Sequence, residues 1–301
     1  MRLPAGLLAF AAISAEWDSW LQALPALVDD LLEEWQLDLD GPATHGYCAV
    51  VVPVRTIAQR PAMLKVGWPH PEAEHEHLAL KQWAGRGAVE LLRADPRRFA
   101  LLLERLDPTD LSDLWDLEAC EIVGGLYSQL HVPALPQLRT LSSYVEQWTA
   151  ELSQVPRSAP IPPRLVQQAV SLGRGFLADP SIDATTIHGD LHYGNVLAAH
   201  RSPWLAIDPK PMSGDPHFEL APMLFNRYDE LAGDVRDGVR RRFHTLVDVA
   251  GLDEHRARDW VVVRMMHNAM WWLQDPQDGP RVAPGDHYLT MCVAIAKAVQ
   301  D

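Results

Sequence analysis

The sequence predicts a two-lobed α+β fold, a small β-rich lobe followed by a larger and mostly helical one. Short β-branched runs crowd the first third of the chain, whereas beyond Asp107-Pro108 long segments with apolar residues at three-to-four spacing take over. At 301 residues the chain is also about twice the length expected of one domain. The change of pattern sets the expected boundary at residue 105, giving lobes 1–105 and 106–301.

Taken in order, residues 16–35 form a predicted helix, with Trp17, Trp20, Leu21, Leu24, Leu27, Val28, Leu31 and Leu32 on helical spacing. Pro25 falls inside it and predicts a kink or a split into two short helices. Asp40-Gly41-Pro42 supplies the turn that closes it. Residues 47–54 and 62–66 are short and β-branched, hence strands. Pro71 suits the first turn of a helix over 72–83, halted by Gly85 and Gly87. Strands follow over 89–92 and 99–103, the second apolar throughout, as a buried strand at a lobe boundary would be. Helices are predicted over 112–131, 141–154 and 163–178. Gly124-Gly125 weakens the first by about 1 kcal/mol per glycine relative to alanine. Short strands and turns occupy 185–208, and helices return from Phe218 onward.

Composition narrows the function. Forty acids against 26 bases give a formal charge of −14, which repels nucleic acid and anionic membrane surfaces and would draw in a cationic small molecule, although an acidic surface more often serves solubility alone. Cys48, Cys120 and Cys292 are odd in number and share no C-x-x-C spacing, which argues against a disulfide framework or a zinc site and fits a reducing cytoplasm. The short apolar stretch over 3–15 has some features of a signal peptide. Pro4 and Gly6 interrupt it, and an amphipathic segment follows without a break, so the expectation is a cytoplasmic protein, monomer or weak dimer.

The chemistry concentrates in His188-Gly-Asp190-Leu-His-Tyr-Gly-Asn195, followed by Trp204-Leu-Ala-Ile-Asp208. Phosphoryl transfer needs a carboxylate to orient an attacking hydroxyl and take its proton, and oxygen ligands for magnesium. An Asp and an Asn five residues apart on one tight loop supply both, with Asp190 facing the hydroxyl and Asn195 reaching the metal. Asp208, at the end of a short strand, is the second metal carboxylate, and Ser202-Pro203 suits a hairpin that brings it beside Asn195.

This H-G-D-x-x-x-x-N run with a downstream Asp resembles the catalytic and metal-binding loops of the aminoglycoside phosphotransferases, relatives of the protein kinases. The continuation from Ile207 to Ala221, together with Ala62-Met-Leu-Lys65 and Leu101-Leu-Leu-Glu-Arg-Leu106, resembles a narrower branch, the streptomycin 6-kinase and hydroxyurea kinase group. The resemblance implies a protein-kinase-like fold and antibiotic inactivation by phosphorylation. It also implies ATP or GTP as donor, Asp190 as catalytic base, Asn195 and Asp208 on Mg2+, and His188 as a buttress of the loop. Lys65 closes a β-type run, where a lysine pairs with α- and β-phosphates. Glu72 and Glu76 are its candidate partners, and Glu76, in helical spacing with Leu80 and Trp83 as in the resembled family, is preferred. The segment Glu104-Arg105-Leu106 is the expected adenine hinge, read through its backbone. No G-x-G-x-x-G is present, so the phosphate-covering turn is placed over 41–47 with only Gly41 and Gly46 to build it.

For a cationic acceptor the expected contacts are Asp215, Glu219, Asp229, Glu230 and Asp275, with Trp271 and Trp272 for cation–π packing, although each such residue taken singly is more often core or solvated surface than a substrate contact. A streptomycin-like guanidinylated cyclitol fits this acidity, and hydroxyurea is the alternative acceptor. A different class remains open. His188, Asp190 and His192 alternate as ligands on a strand would, and with His70, His75 and His77 nearby they suit a metal-dependent hydrolase. A non-catalytic kinase-like binding module is disfavoured because Lys65, Asp190, Asn195 and Asp208 are all present.

Overall fold

In the computed structural model, which describes residues 2–274 and 285–300, the chain divides into two units. The first comprises Met1–Pro108 with Ala198–Leu205, and the second Thr109–Leu197 with Ala206–Asp301.

The first unit opens with a short helix, α1 (Ala5–Leu8), and then α2 (Ala15–Trp35). Ser14 caps α2, its Oγ accepting from Trp17 N, and Glu16 and Asp18 complement the dipole in the first turn. Of the two expectations at Pro25 the split does not occur: one continuous helix runs through it. Trp17, Leu21, Leu24, Val28, Leu31 and Trp35 form a single buried face. Burial of each is worth about 1.5–3 kcal/mol, which together outweighs the roughly 3 kcal/mol penalty of an interior proline.

That face packs on an antiparallel sheet of β1 (Asp38–Leu39), β2 (Thr44–His45), β3 (Ala49–Arg55), β4 (Pro61–Gly67), β5 (Leu91–Asp95) and β6 (Ala100–Glu104). The order is β1-β3-β4-β6-β5, with β2 also paired to β3. Val50, Val52 and Val54 of β3, Ala62, Leu64 and Val66 of β4, and Ala100 and Leu102 of β6 share the core under α2. The period of two therefore sends Lys65, in register with Val51 and Leu101, to the opposite face. Helix α3 (Glu76–Trp83) starts four residues later than expected, because 71–75 form turns such as Ala73 N to His70 O; Glu72 thus precedes the helix and Glu76 opens it.

The second unit contains α4 (Asp116–Leu130), β7 (Val132–Pro133), β8 (Arg139–Thr140), α5 (Leu141–Leu152), α6 (Pro163–Leu177), β9 (Thr185–Ile187), β10 (Val196–Ala198), β11 (Trp204–Ala206), β12 (Met212–Gly214), α7 (Ala221–Phe225), α8 (Val235–Ala250), α9 (Glu254–Gln274) and α10 (Gly285–Ala298). Strands β10 and β11 pair as a hairpin whose tip, Ala198–Leu205, groups with the first unit. Gly124 is more than a weak point of α4: a Cβ there would meet Val249 of α8 at 3.0 Å, so its absence lets the two helices close up. A small sheet ordered β7-β9-β12-β8 sits beneath the catalytic loop, β12 antiparallel to β9 and parallel to β8. Among the described residues no helix is long and apolar enough to cross a membrane.

Candidate active site

Strand β9 ends at Ile187 and delivers His188 into the interior, where it is fully buried. Its Nε2 bonds to Ile207 O at 3.0 Å and its Nδ1 faces Asp190 N at 3.3 Å, which assigns the neutral ring: Nε2–H donates and Nδ1 accepts. Burial holds its pKa below the usual imidazole value, in keeping with that assignment. Gly189 takes φ +84°, and a Cβ there would lie 2.2 Å from Lys210 O, so only glycine allows this approach. Lys210 N in turn bonds to His188 O at 2.9 Å. The segment after Asp208 is thereby sewn to the loop that starts at His188.

Asp190 follows the turn, partly exposed. Its carbonyl accepts from Asn195 Nδ2 at 2.8 Å, which orients the amide and leaves Oδ1 as that side chain's acceptor. Asn195 is itself buried, and its backbone oxygen accepts from Ile207 N at 2.9 Å, setting it beside the residue that precedes Asp208. Asp208 is held at φ +55°, a conformation that aspartate adopts more readily than most residues. One neutral and one anionic oxygen donor suit a hard cation such as magnesium rather than zinc. One oxygen of Asp190 is engaged: Oδ2 lies 2.8 Å from Lys210 Nζ.

In the first unit, Lys65 Nζ lies 2.7 Å from both carboxylate oxygens of Glu76. The hinge segment is fastened through its side chains. Glu104 accepts from Glu90 N and from the Arg201 guanidinium, and Arg201 also donates to Gly85 O and Ala88 O. Arg105 donates to Asp40, Val54 O and Ala62 O. Among the described residues neither the N–H nor the C=O of Leu106 has a protein partner.

Several sequence-predicted contacts lie elsewhere. Glu219, expected at the substrate, is fully buried: Oε1 accepts from Gly189 N at 2.6 Å and Oε2 pairs with His131 Nε2 at 2.7 Å. Burial alone would raise its pKa, but the hydrogen bond and charge of His131 and the Gly189 N–H hold it below the ordinary value. Asp215 is likewise internal, its oxygens taken by His217, Arg256 and Trp260. Asp229 and Glu230 are exposed and paired with His287 and Arg227. Trp271 is 38% exposed and meets Trp148 edge-on, Trp272 packs near Tyr288, and Asp275 lies outside the described residues.

The hydrolase alternative loses its ligands. His188 spends both ring nitrogens on backbone, His192 Nδ1 accepts from Gly194 N, and among the described residues no cluster of three His, Cys, Asp or Glu side chains could hold a metal. Sequence reasoning missed Arg264, which donates to Gly189 O and Phe218 O from α9, and His131 and Arg201; none carries a local signal, because each partner is distant in sequence.

Structural likeness shows the fold. The choline kinase LicA of Streptococcus pneumoniae aligns with a TM-score of 0.63 at 13% identity, covering 92% of this chain and 99% of that one. Aminoglycoside phosphotransferase APH(4)-Ia aligns at 0.59 and 16%, covering 91% and 99%. Both share the protein-kinase-like architecture. In sequence, the streptomycin 6-kinase of Streptomyces glaucescens is 40% identical over 88% of either chain. The hydroxyurea phosphotransferase of Kitasatospora aureofaciens is also 40% identical, over 85% of this chain and 75% of that one. The profile of the aminoglycoside/hydroxyurea antibiotic resistance kinases matches residues 34–276, and with the catalytic loop built as above this chain belongs to that family.

Proposed function

We propose that the protein transfers the γ-phosphoryl group of ATP to a hydroxyl of streptomycin, with magnesium held by Asn195 and Asp208. The observation that carries this reading is the 40% identity to a streptomycin 6-kinase along 88% of both chains, in a chain that has Lys65, Glu76, Asp190, Asn195 and Asp208. The acidic balance of −14 supports a guanidinium-bearing acceptor.

Each residue then has a task. Leu106 offers its backbone N–H and C=O to the adenine, and the segment 41–47, which the structure builds around strand β2 rather than as one turn, covers the phosphates. Lys65, held by Glu76, neutralises the α- and β-phosphates. Magnesium, when bound, neutralises and orients the β- and γ-phosphates. Asp190 orients the acceptor hydroxyl through Oδ1 and takes its proton as the oxygen attacks phosphorus, with Oδ2 on Lys210 before transfer. His188 and Glu219 position the loop from behind, through Asp190 N and Gly189 N.

The identity to a hydroxyurea phosphotransferase is equal, so hydroxyurea is the second acceptor to test. The assay incubates the protein with magnesium, ATP and a panel of streptomycin, other aminoglycosides and hydroxyurea. The expected result is phosphorylated streptomycin with one ADP per product. Turnover of hydroxyurea alone reassigns the acceptor, and turnover of none removes the proposal.

A further inference from the structure

We infer that Lys210 is a catalytic cation of the phosphoryl transfer: its ammonium group neutralises the Asp190 carboxylate at rest and moves to the transferring phosphoryl group as Asp190 takes up the acceptor's proton. The inference rests on the phosphotransferase reading above and goes beyond it.

The geometry points to Lys210 because it is fixed where the chemistry happens. Its Nζ is 2.8 Å from Asp190 Oδ2, the oxygen not offered to the acceptor. Its backbone cannot drift, because its N–H bonds to His188 O at 2.9 Å and its carbonyl packs against Gly189, the residue before the base. Pro209 and Pro211 flank it and restrict φ on either side. Its side chain, by contrast, is 40% exposed and Asp190 is 21% exposed, so the ammonium can exchange one oxygen for another without crossing a buried barrier.

Charge bookkeeping supplies the reason for such a move. Before transfer, Asp190 carries one negative charge and Lys210 one positive. The acceptor oxygen then bonds to the γ-phosphorus, and the bond from that phosphorus to the β,γ-bridging oxygen breaks. The bonding electron pair leaves with ADP, and the hydroxyl proton goes to Asp190 Oδ1. Asp190 becomes neutral, so its hold on the ammonium weakens as negative charge spreads over the equatorial oxygens of the phosphoryl group. A cation bound more strongly to the transition state than to the ground state lowers the barrier. A lysine that only held the carboxylate in place would contribute nothing at that point.

Two substitutions separate these roles. Lys210→Gln keeps a donor for Asp190 Oδ2 but removes the charge, and Lys210→Arg keeps the charge with a longer reach. The readouts are kcat on whichever acceptor the wild type phosphorylates, and two affinities: for Mg·ADP with aluminium fluoride, a mimic of the transferring group that needs no aminoglycoside, and for Mg·AMP-PNP, a ground-state mimic. The expected result for Lys210→Gln is a loss of about 10²-fold in both kcat and aluminium fluoride affinity, with AMP-PNP affinity within about threefold of wild type and Lys210→Arg recovering part of the loss. If Lys210→Gln binds Mg·ADP with aluminium fluoride as tightly as wild type, the inference is overturned and Lys210 is only a positioning residue. A wild-type protein that binds both nucleotide complexes but does not phosphorylate streptomycin sinks the choice of acceptor and leaves this test standing. A wild type that binds neither sinks both.

Discussion

Each unit sets a lysine against a carboxylate, and the two pairs differ in how far water reaches them. Lys65 touches both oxygens of Glu76, with side-chain exposures of 13% and 6%; Lys210 touches one oxygen of Asp190, with exposures of 40% and 21%. In the shielded pair the desolvation cost is already met, so removing one partner strands a buried charge. In the open pair water stands ready to replace either partner, and the net worth is at most about 1 kcal/mol. A shielded pair is therefore a fixture that shapes a site, while an open pair can come apart during a reaction. Lys65–Glu76 fits the first description and Lys210–Asp190 the second.

The largest expected effect breaks the open pair from its acidic side. Asp190→Ala should lower kcat by about 10²–10⁴-fold while nucleotide still binds and the thermal midpoint barely moves, as steady-state kinetics, calorimetric titration and a melt would record. If the melt collapsed as well, the open pair would be structural and the contrast would vanish. Next comes the shielded pair: Lys65→Met should cost about 3–5 kcal/mol in urea unfolding, because Glu76 is left buried without its cation. Nucleotide affinity should fall with it, and Lys65→Met/Glu76→Gln should recover part of the stability.

Glu219 tests whether exposure, rather than the unit, decides. Its carboxyl is held below the ordinary value of 4.5, so its contribution to stability is present above that pH and is lost as pH falls through the lower folded-state value. Glu219→Gln should therefore lose about 1–3 kcal/mol at neutral pH and show a flatter acid limb in urea midpoints measured below about pH 5. The smallest effect is expected at Arg201, whose side chain is 38% exposed against 11% for Glu104. Arg201→Ala should weaken ATP binding severalfold and cost about 1–2 kcal/mol. A loss as large as that of Lys65→Met would mean that exposure is a poor guide to these pairs.

What could be read from the sequence followed from how locally each feature is encoded. Asp190 and Asn195 lie five residues apart on one loop, and a two-residue signal at Ser202-Pro203 was enough to suggest the hairpin leading to Asp208. Lys65 and Glu76 are separated by the end of β4 and the turns over 71–75, and β-branched spacing and helical spacing each place one of them. Glu219 and Asp215 turned out internal because a residue type says nothing about where its oxygens are spent. Glu219 is used up by His131, 88 positions away, and Asp215 by Arg256 and Trp260, which lie on α9. Pro25 misled because local propensity was outvoted by a buried face that only the sheet beneath it reveals. Strands β7, β8 and β12 are two or three residues long, too short for any periodicity to show.

The bridge between Asp208 and β12 has a further consequence. Only three residues span it, two of them prolines, and Lys210 in the middle is bonded to His188. There is no slack there to fold away, so covalent chain and hydrogen bond together tie the backbone beside Asp208 to the loop at His188, and a displacement of either segment has to carry the other with it.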